Sequence, residues 1–209
     1  MLSGRFLAKE SPHMTRNSLS DTLKQAWACM EAGAAPGKSR FSMVQVANIG
    51  EDGRPRARTV VIRNVDVAAR TLAFHTDRRS PKVKELQSDP RVTVVGYDME
   101  AGQQVRIEGA ARLHIGDSEA LAAWGESRAE ARVGYRRQNA PGEALADPKM
   151  GDAQADALTP ADQTVGFDRF CWVVIQATKV DWLSLGSPDH RRSIHRWNGA
   201  DWDSSWVAP

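Results

Sequence analysis

Several positively charged side chains stand where predicted elements begin or end, in positions from which they could bind an anion. Arg58 and Arg63 flank an apolar run, and Lys82 follows Ser80-Pro81 at the predicted start of a helix. A helix N-terminus offers free N–H groups and a positive dipole, so a lysine there weakens the helix but strengthens an anion site. The pattern predicts a site for phosphate or another multiply charged anion. A solvated strand end and an ordinary capped surface helix are the alternative explanations.

A second polar segment, residues 103–109 (QQVRIEG), follows further along the chain. A glutamine amide can both donate and accept, which suits the edge of a heterocycle.

Cys29 and Cys171 form no CxxC pattern and resemble core thiols of a reducing compartment, so neither a disulfide nor a zinc site is expected. No metal is expected either, because four histidines lack a metal-ligand spacing that would indicate a site. They are His75, His114, His190 and His195.

Familiar catalytic motifs are absent from the sequence. It contains no GxGxxG, GxxxxGK[ST], HExxH or GxSxG. Their absence argues against a dinucleotide fold, a P-loop nucleotidase, a zincin and an α/β-hydrolase. The remaining chemistry is therefore that of the clustered cations.

The charge distribution locates these cations in one block. The 209 residues carry 28 basic and 26 acidic side chains, a net charge of +2, which argues against a dedicated nucleic-acid binder. Residues 54–91 hold ten basic residues against four acidic ones, a local charge of +6, whereas residues 141–168 hold one against six, a charge of −5. Near-neutrality thus conceals a basic block that suits a small phosphorylated partner.

The elements that must position these residues are mostly strands. Short turns between consecutive strands predict antiparallel pairing, and the whole pattern predicts a mainly β (α+β) protein with a closed or nearly closed barrel of six or seven strands. We expect a single domain over 1–209, with an N-terminal helix region over 1–35 and a long surface excursion over 136–164. The predicted elements are a helix over 18–32, strands over 41–49, 56–64 and 71–76, a helix over 81–88, strands over 91–97 and 103–115, a helical stretch over 117–135, a strand over 170–185, and a hairpin over 193–206 turning at Asn198-Gly199.

The composition is that of a globular protein, with 41% hydrophobic and 26% charged residues. No stretch approaches the roughly 18 apolar residues of a membrane span, and the first fourteen residues lack the apolar region of a signal peptide. We therefore expect a cytoplasmic protein with neither membrane nor nucleic acid as a partner.

Taken in order, these segments resemble the pyridoxamine 5'-phosphate oxidase family, which has an FMN-binding split β-barrel. Residues 58–63 (RTVVIR) are similar to the family's R-x-V-L-L-K strand, and His75-Thr76 falls on its Tyr-Thr pair. Ser80-Pro81-Lys82 falls on its Ser-Arg-Lys phosphate turn, and residues 103–109 are similar to R-Q-V-R-I-E-G.

The C-terminal part carries the same resemblance, so that it spans residues 41–209. Trp182 and Arg192 keep the spacing of the family's C-terminal Trp and Arg, and the ending WVAP resembles R-L-A-P. The resemblance implies an FMN cofactor at the interface of a homodimer, with both subunits contributing contacts. The FMN contacts that it implies are Arg58, Thr59, Val60, Val61, Ile62, Arg63, His75, Thr76, Ser80, Lys82, Gln104, Trp182 and Arg192.

Departures from the family pattern concern mainly the substrate. Pro81 replaces the phosphate-turn Arg, Arg63 replaces a substrate-contacting Lys, and residues 188–190 (PDH) stand where the oxidase has R-L-H. The substrate contacts that the resemblance implies are Arg63, Trp124, Arg128 and His190. The lost contacts argue against pyridoxamine 5'-phosphate oxidase activity itself.

The reaction predicted from the resemblance is hydride transfer from a small-molecule substrate to flavin N5. The predicted enzyme class is an FMN-dependent oxidoreductase, with no catalytic residue assigned. The cofactor supplies that chemistry, and the protein supplies binding and orientation. Three alternatives stay open: a flavin-binding carrier or sensor without turnover, a true pyridox(am)ine 5'-phosphate oxidase, and a heme- or F420-binding relative on the same barrel.

Overall fold

The computed structural model describes residues 18–37, 39–151, 164–186 and 189–209. No helix in these ranges is long and apolar enough to cross a membrane. The α-helices are α1 (Leu19–Ala34), α2 (Pro81–Ser88), α3 (Ser118–Glu126) and α4 (Ala129–Val133). The strands are β1 (Met43–Ile49), β2 (Pro55–Val61), β3 (Asn64–Asp66), β4 (Thr71–Asp77), β5 (Arg91–Asp98), β6 (Gln103–His114), β7 (Phe170–Ser184), β8 (Arg191–Trp197) and β9 (Trp202–Val207).

The sheet curls because its two ends are neighbours in sequence. The strand order is β2-β1-β5-β6-β7-β4-β3, yet only Ile62 and Arg63 separate β2 from β3. The Ile62 N–H donates to the Ser42 carbonyl at 3.0 Å, and the Arg63 N–H donates to the Ala73 carbonyl at 2.8 Å. The chain therefore changes partner from β1 to β4 between these two residues. The sheet bends into a split barrel, which confirms the predicted fold class.

The described ranges contain nine strands, against the six or seven predicted for the barrel. The predicted strand over 56–64 divides at the partner change, and the C-terminal hairpin, which was predicted over 193–206, forms β8 and β9 beside β7. The hairpin turns at Asn198 as predicted, but through four residues instead of two. The Asn198 side chain accepts from the backbone N–H groups of Ala200 and Asp201, at 3.0 and 2.9 Å, and so stabilises the longer loop.

β7 is the central strand of the barrel, because its 15 residues pair with β4, β6 and β8. The register between β6 and β7 shifts at Gly109, where a Cβ atom would lie 2.1 Å from the Gln176 carbonyl oxygen. This bulge bends the strand pair and helps the sheet to close. The fully buried core residues Val44, Val94 and Ile107 point into the interior from β1, β5 and β6.

Helix α1 covers one end of this core with its apolar face, including Trp27 and Met30. It begins where predicted, in a capping box formed by Ser18 and Asp21. It continues through Gly33 to Ala34, two residues beyond the predicted end at residue 32. A Cβ at Gly33 would lie 2.3 Å from the Phe41 carbonyl oxygen, so glycine is required there for close packing rather than for helix termination.

The predicted helical stretch over 117–135 is broken into two helices. The Ser127 hydroxyl donates to the Trp124 carbonyl at 2.7 Å and ends α3, and Arg128 becomes the N-cap residue of α4. α3 packs through Trp124 on a second apolar cluster with Tyr135 and Phe170. Of the excursion predicted over 136–164, residues 152–163 lie outside the described ranges. A 3₁₀ helix (Gly134–Arg136) ends where the excursion begins, and residues 137–147 form turns and bends before a second 3₁₀ helix (Pro148–Gly151).

Candidate functional site

A cluster of polar groups lies where β2, β4 and α2 meet. The Lys82 Nζ donates to the Thr76 hydroxyl at 3.0 Å and to the Ser80 hydroxyl at 2.7 Å. Ser80 is the N-cap residue of α2, as predicted, and Pro81 is the first helical residue. The Ser80 side chain does not cap α2, because its hydroxyl accepts a hydrogen bond from the Lys82 ammonium instead. The N–H groups of the first turn therefore lack a side-chain cap.

Arg58 reaches the same cluster from β2. Its guanidinium donates to Glu85 Oε2 at 2.9 Å and to Asn48 Oδ1, and the Asn48 amide donates to Glu85 Oε2 at 2.9 Å. Glu85 and Asn48 are both buried. This network holds the arginine side chain in one orientation. Neither Glu85 nor Asn48 was predicted as a site residue from the sequence. The sequence pattern that could have indicated Glu85 is its position three residues after Lys82, on the same face of α2.

The cluster fits a phosphate group. Lys82 is partly buried, and burial followed by the charge of Arg58 lowers its pKa. Its two hydrogen-bond partners within the described ranges are neutral hydroxyls, and no ion pair neutralises it there. A dianion beside Lys82 and Arg58 would offset the cost of burying the ammonium and accept hydrogen bonds from the helix start. Ionic and neutral donors of this kind are what a phosphate ester requires.

The other residues of the predicted FMN strand alternate between two faces. Val60 and Ile62 follow Arg58 on the inward side, whereas Thr59 and Val61 are exposed on the outward side. Arg63 lies after the partner change, and its side chain is exposed. The strand thus runs from the polar cluster directly to a cavity.

That cavity, of about 320 Å³, lies between the end of α1, the β2–β3 junction and the end of α3. Two arginines line it, Arg63 and Arg128, and neither side chain forms an ion pair or hydrogen bond with another described residue. The carboxylate of Glu126 also lines the cavity, so its charged side chains, two arginines and one glutamate, leave a net positive charge. Its polar and apolar lining residues include Gly33, Ser42, Ile62, His75, Ser127 and Trp172.

His75 and Thr76 are neighbours but serve different surfaces. Thr76 faces the polar cluster, whereas His75 lines the cavity and contacts Tyr135, with 2.7 Å between the imidazole Nδ1 and the phenol oxygen. Burial and the nearby Arg63 lower the pKa of His75 to about 4, so the imidazole is neutral at neutral pH. Tyr135 was not selected from the sequence, because the partner of a side chain 60 residues away is a tertiary property.

Gln104 and Arg192 lie on the outward face of the sheet, in register across β6, β7 and β8 through Leu183. The Arg192 guanidinium is bound by Asp181 at 2.8 and 3.0 Å, and Arg106 also pairs with this carboxylate. These arginine partners lower the pKa of Asp181 against the opposing effect of its burial. Asp181 was not predicted as a site residue from the sequence, although it stands directly before Trp182, which was.

Three predicted site residues lie apart from these groups. Trp182 is a core residue on the inward face, and its buried Nε1 has no hydrogen-bond partner within the described ranges. Trp124 is buried against Tyr135 and Phe170, beneath the cavity and not in its lining. His190 is exposed just before β8, outside the lining of the cavity.

Comparisons with known proteins show two kinds of similarity. Residues 20–115 match the family model described as "Pyridoxamine 5'-phosphate oxidase, FMN-binding domain". A curated pyridoxine/pyridoxamine 5'-phosphate oxidase 2 of Arabidopsis thaliana is 30% identical over 156 residues, covering 70% of this chain and 75% of that protein. The pyridoxine/pyridoxamine 5'-phosphate oxidase of Anaeromyxobacter dehalogenans is 28% identical over 160 residues, covering 75% and 79%.

Solved structures show the same fold. A pyridoxamine 5'-phosphate oxidase-related, FMN-binding protein from Nostoc punctiforme aligns with a TM-score of 0.72 at 23% identity, over 94% of this chain and all of that one. PhzG from Burkholderia lata, solved with tetrahydrophenazine-1-carboxylic acid, aligns with a TM-score of 0.66 at 23% identity, over 90% of both chains.

Proposed function

Because the chain belongs to the pyridoxamine 5'-phosphate oxidase family and has an FMN-binding domain, we propose that it is an FMN-dependent oxidoreductase acting on a small anionic substrate. The observation that carries this proposal is the connection of two sites by one strand. β2 and its junction lead from the Arg58–Lys82 cluster to the cavity that contains Arg63 and Arg128.

The cluster of Arg58, Thr76, Ser80 and Lys82 would hold the FMN phosphate. Lys82 and Arg58 supply charge, and the start of α2 supplies N–H donors. Glu85 and Asn48 fix the direction of Arg58. When bound, the flavin supplies a two-electron acceptor for a hydride from the substrate. The chain needs no nucleophile of its own for this reaction.

The cavity would bind the substrate through its anionic group. Arg63 and Arg128 approach it from two different elements, the β2–β3 junction and the start of α4. Two guanidinium groups that form no ion pair with a carboxylate of the described residues favour a phosphate or carboxylate ligand. The end of α1 and the residues that follow it, together residues 33–37, form one wall of the cavity and limit the ligand to a small molecule. The names of the relatives make pyridoxamine 5'-phosphate the first compound to test.

We also propose that the site is shared between two copies of the chain. The Arg58–Lys82 cluster faces inward, whereas Gln104 and Arg192 face outward, so a second copy is the simplest source of these two contacts. The outward face also exposes large apolar side chains, which suit an interface. They include Met43, Val61 and Tyr97.

Anaerobic mixing tests the function. The FMN-loaded protein is mixed with excess pyridoxamine 5'-phosphate or pyridoxine 5'-phosphate, and the visible flavin absorption is followed. Turnover bleaches the flavin, and admission of air restores its colour. Retention of FMN without bleaching by either compound contradicts oxidation of these substrates and favours a flavin carrier or sensor. Failure of the apoprotein to bind FMN contradicts the whole proposal.

A further inference from the structure

Two buried polar atoms at the cavity have no partner in the described ranges. They are the Ser42 hydroxyl oxygen and the Nε2 atom of His75, and both residues line the cavity. An unpaired buried polar group costs free energy, because it loses its bonds to water without replacement. Such groups are therefore expected to meet a ligand, and the chemistry of His75 restricts which ligand that is.

The hydrogen bond to Tyr135 determines which imidazole nitrogen carries the proton. The phenol oxygen and Nδ1 are 2.7 Å apart, and this is the side-chain bond that Tyr135 makes within the described ranges. If the phenol donates to Nδ1, the proton of the neutral imidazole is on Nε2, and one donor is left without an acceptor. If Nδ1 donates instead, both the phenol proton and the Nε2 lone pair are left unpaired. The first arrangement is favoured because it leaves fewer groups unsatisfied.

The surrounding residues keep the Tyr135 phenol protonated and the His75 imidazole neutral. Tyr135 is buried, and burial raises the pKa of its phenol, so the proton remains available for donation. His75 is uncharged at neutral pH for the reasons given above, with Arg63 opposing a second positive charge. Phe170 packs on the imidazole, with ring centroids 5.5 Å apart, and restricts its rotation. The imidazole is therefore a fixed neutral donor beside two cationic side chains.

We propose that His75 determines substrate specificity: its Nε2–H donates to an oxygen or nitrogen acceptor of the substrate whose anionic group Arg63 and Arg128 bind. Tyr135 is the positioning residue that holds this tautomer. The substrate class is a small organic anion with a second, uncharged acceptor, such as a ring nitrogen, a carbonyl or a hydroxyl. The assignment rests on the proposed function, because it places His75 in the substrate cavity.

Nitrogen NMR of the histidine-labelled, FMN-loaded protein tests the tautomer without any turnover. At neutral pH the His75 signals are expected to show a proton on Nε2. Tyr135→Phe removes the phenol donor, so its spectrum is expected to contain both tautomers while FMN remains bound. A proton on Nδ1 of the native His75, or an unchanged tautomer in Tyr135→Phe, would overturn the proposal.

Binding of deoxypyridoxine 5'-phosphate, which lacks the oxidisable substituent, tests the contact itself by calorimetry on the FMN-loaded protein. His75→Phe is expected to weaken this binding about tenfold, and Tyr135→Phe severalfold, through loss of one hydrogen bond to a ligand. His114→Phe is the matched control, because His114 pairs with Asp117 outside the cavity. The His114→Phe variant is expected to bind deoxypyridoxine 5'-phosphate with the affinity of the native protein.

The outcomes separate this proposal from the proposed function. Loss of binding in Arg128→Ala together with native affinity in His75→Phe would overturn the role of His75 and leave the anionic cavity intact. No binding of the probe by the native protein would overturn the substrate assignment of the cavity and of His75 together.

Discussion

At the scale of single residues, two properties of Lys82 make its positive charge costly in the folded protein. It is partly buried, so desolvation penalises its charge, and its hydrogen-bond partners in the described ranges are hydroxyls that carry no compensating charge. Arg58, its cationic neighbour, is by contrast balanced by the buried Glu85. Among the described residues, Glu85 and Asp77 attract the Lys82 ammonium only from beyond ion-pair contact, so its charge suits a phosphate dianion.

Replacing Lys82 by Met is therefore expected to weaken FMN binding about a hundredfold, corresponding to about 3 kcal/mol for the loss of one partly buried ionic partner. Quenching of FMN fluorescence by the apoprotein measures the affinity. Lys84→Met is the control, because Lys84 lies on the exposed side of the same helix. Equal FMN affinities in the two variants would remove Lys82 from the phosphate site.

At the scale of elements, the end of α1 forms both a packing contact and a wall of the cavity. Gly33 is in van der Waals contact with the backbone of Phe41, and residues 33–37 line the cavity. Strand β1 begins two residues after Phe41 and pairs with β2 along its whole length. The approach of helix to strand thus fixes the width of the cavity beside Arg63.

Gly33→Ala is expected to destabilise the protein by about 1–3 kcal/mol, because the added methyl group collides with the Phe41 carbonyl and forces α1 to move. Gly125→Ala is the matched control in α3, because a Cβ there meets no atom within 4 Å. Alanine at that position is expected to raise the free energy of unfolding by about 0.5–1 kcal/mol, since it has the higher helix propensity. Urea unfolding measures both. A Gly33→Ala variant as stable as Gly125→Ala would show that α1 is not packed in this way.

At the scale of the whole molecule, the inward and outward faces of one sheet carry separate parts of the proposed FMN site. Arg58 and Lys82 belong to the inner cluster, whereas Arg192 is fixed by Asp181 on the outer face. A single barrel wall lies between the two faces. A symmetric pair of chains can bring the outer face of one against the inner cluster of the other.

Mixing two defective variants tests this arrangement. Lys82→Met and Arg192→Ala chains are unfolded together, refolded and titrated with FMN. If each site uses Lys82 of one chain and Arg192 of the other, random pairing restores native affinity to about a quarter of the sites, because half of the dimers are mixed and each has one intact site. Mixtures without any restored site would mean that both residues act in the same chain. Native affinity in the Arg192→Ala protein alone would mean that Arg192 has no role.

The sequence by itself determined the local elements and their class. Alternation in β2, the Ser80-Pro81 start of α2 and the Asn198 turn depend on neighbouring residues, and periodicity and turn chemistry report those directly. The motifs likewise predicted Arg58 and Lys82 as an anion-binding pair, because both stand at recognisable element positions. The break of the predicted helix at Ser127 was missed, since tertiary packing of Trp124 competes with local propensity there.

Only the tertiary structure decided which side chains share a site. The closure of the sheet at Ile62 and Arg63 places residues from β2, α1 and α3 around one cavity, and no local pattern encodes that meeting. The same folding brings Tyr135 to His75 and Glu85 to Arg58, and these contacts fix a proton on one nitrogen and the direction of one cation. Propensity acts over a few residues, whereas protonation and orientation depend on whatever the fold packs nearby.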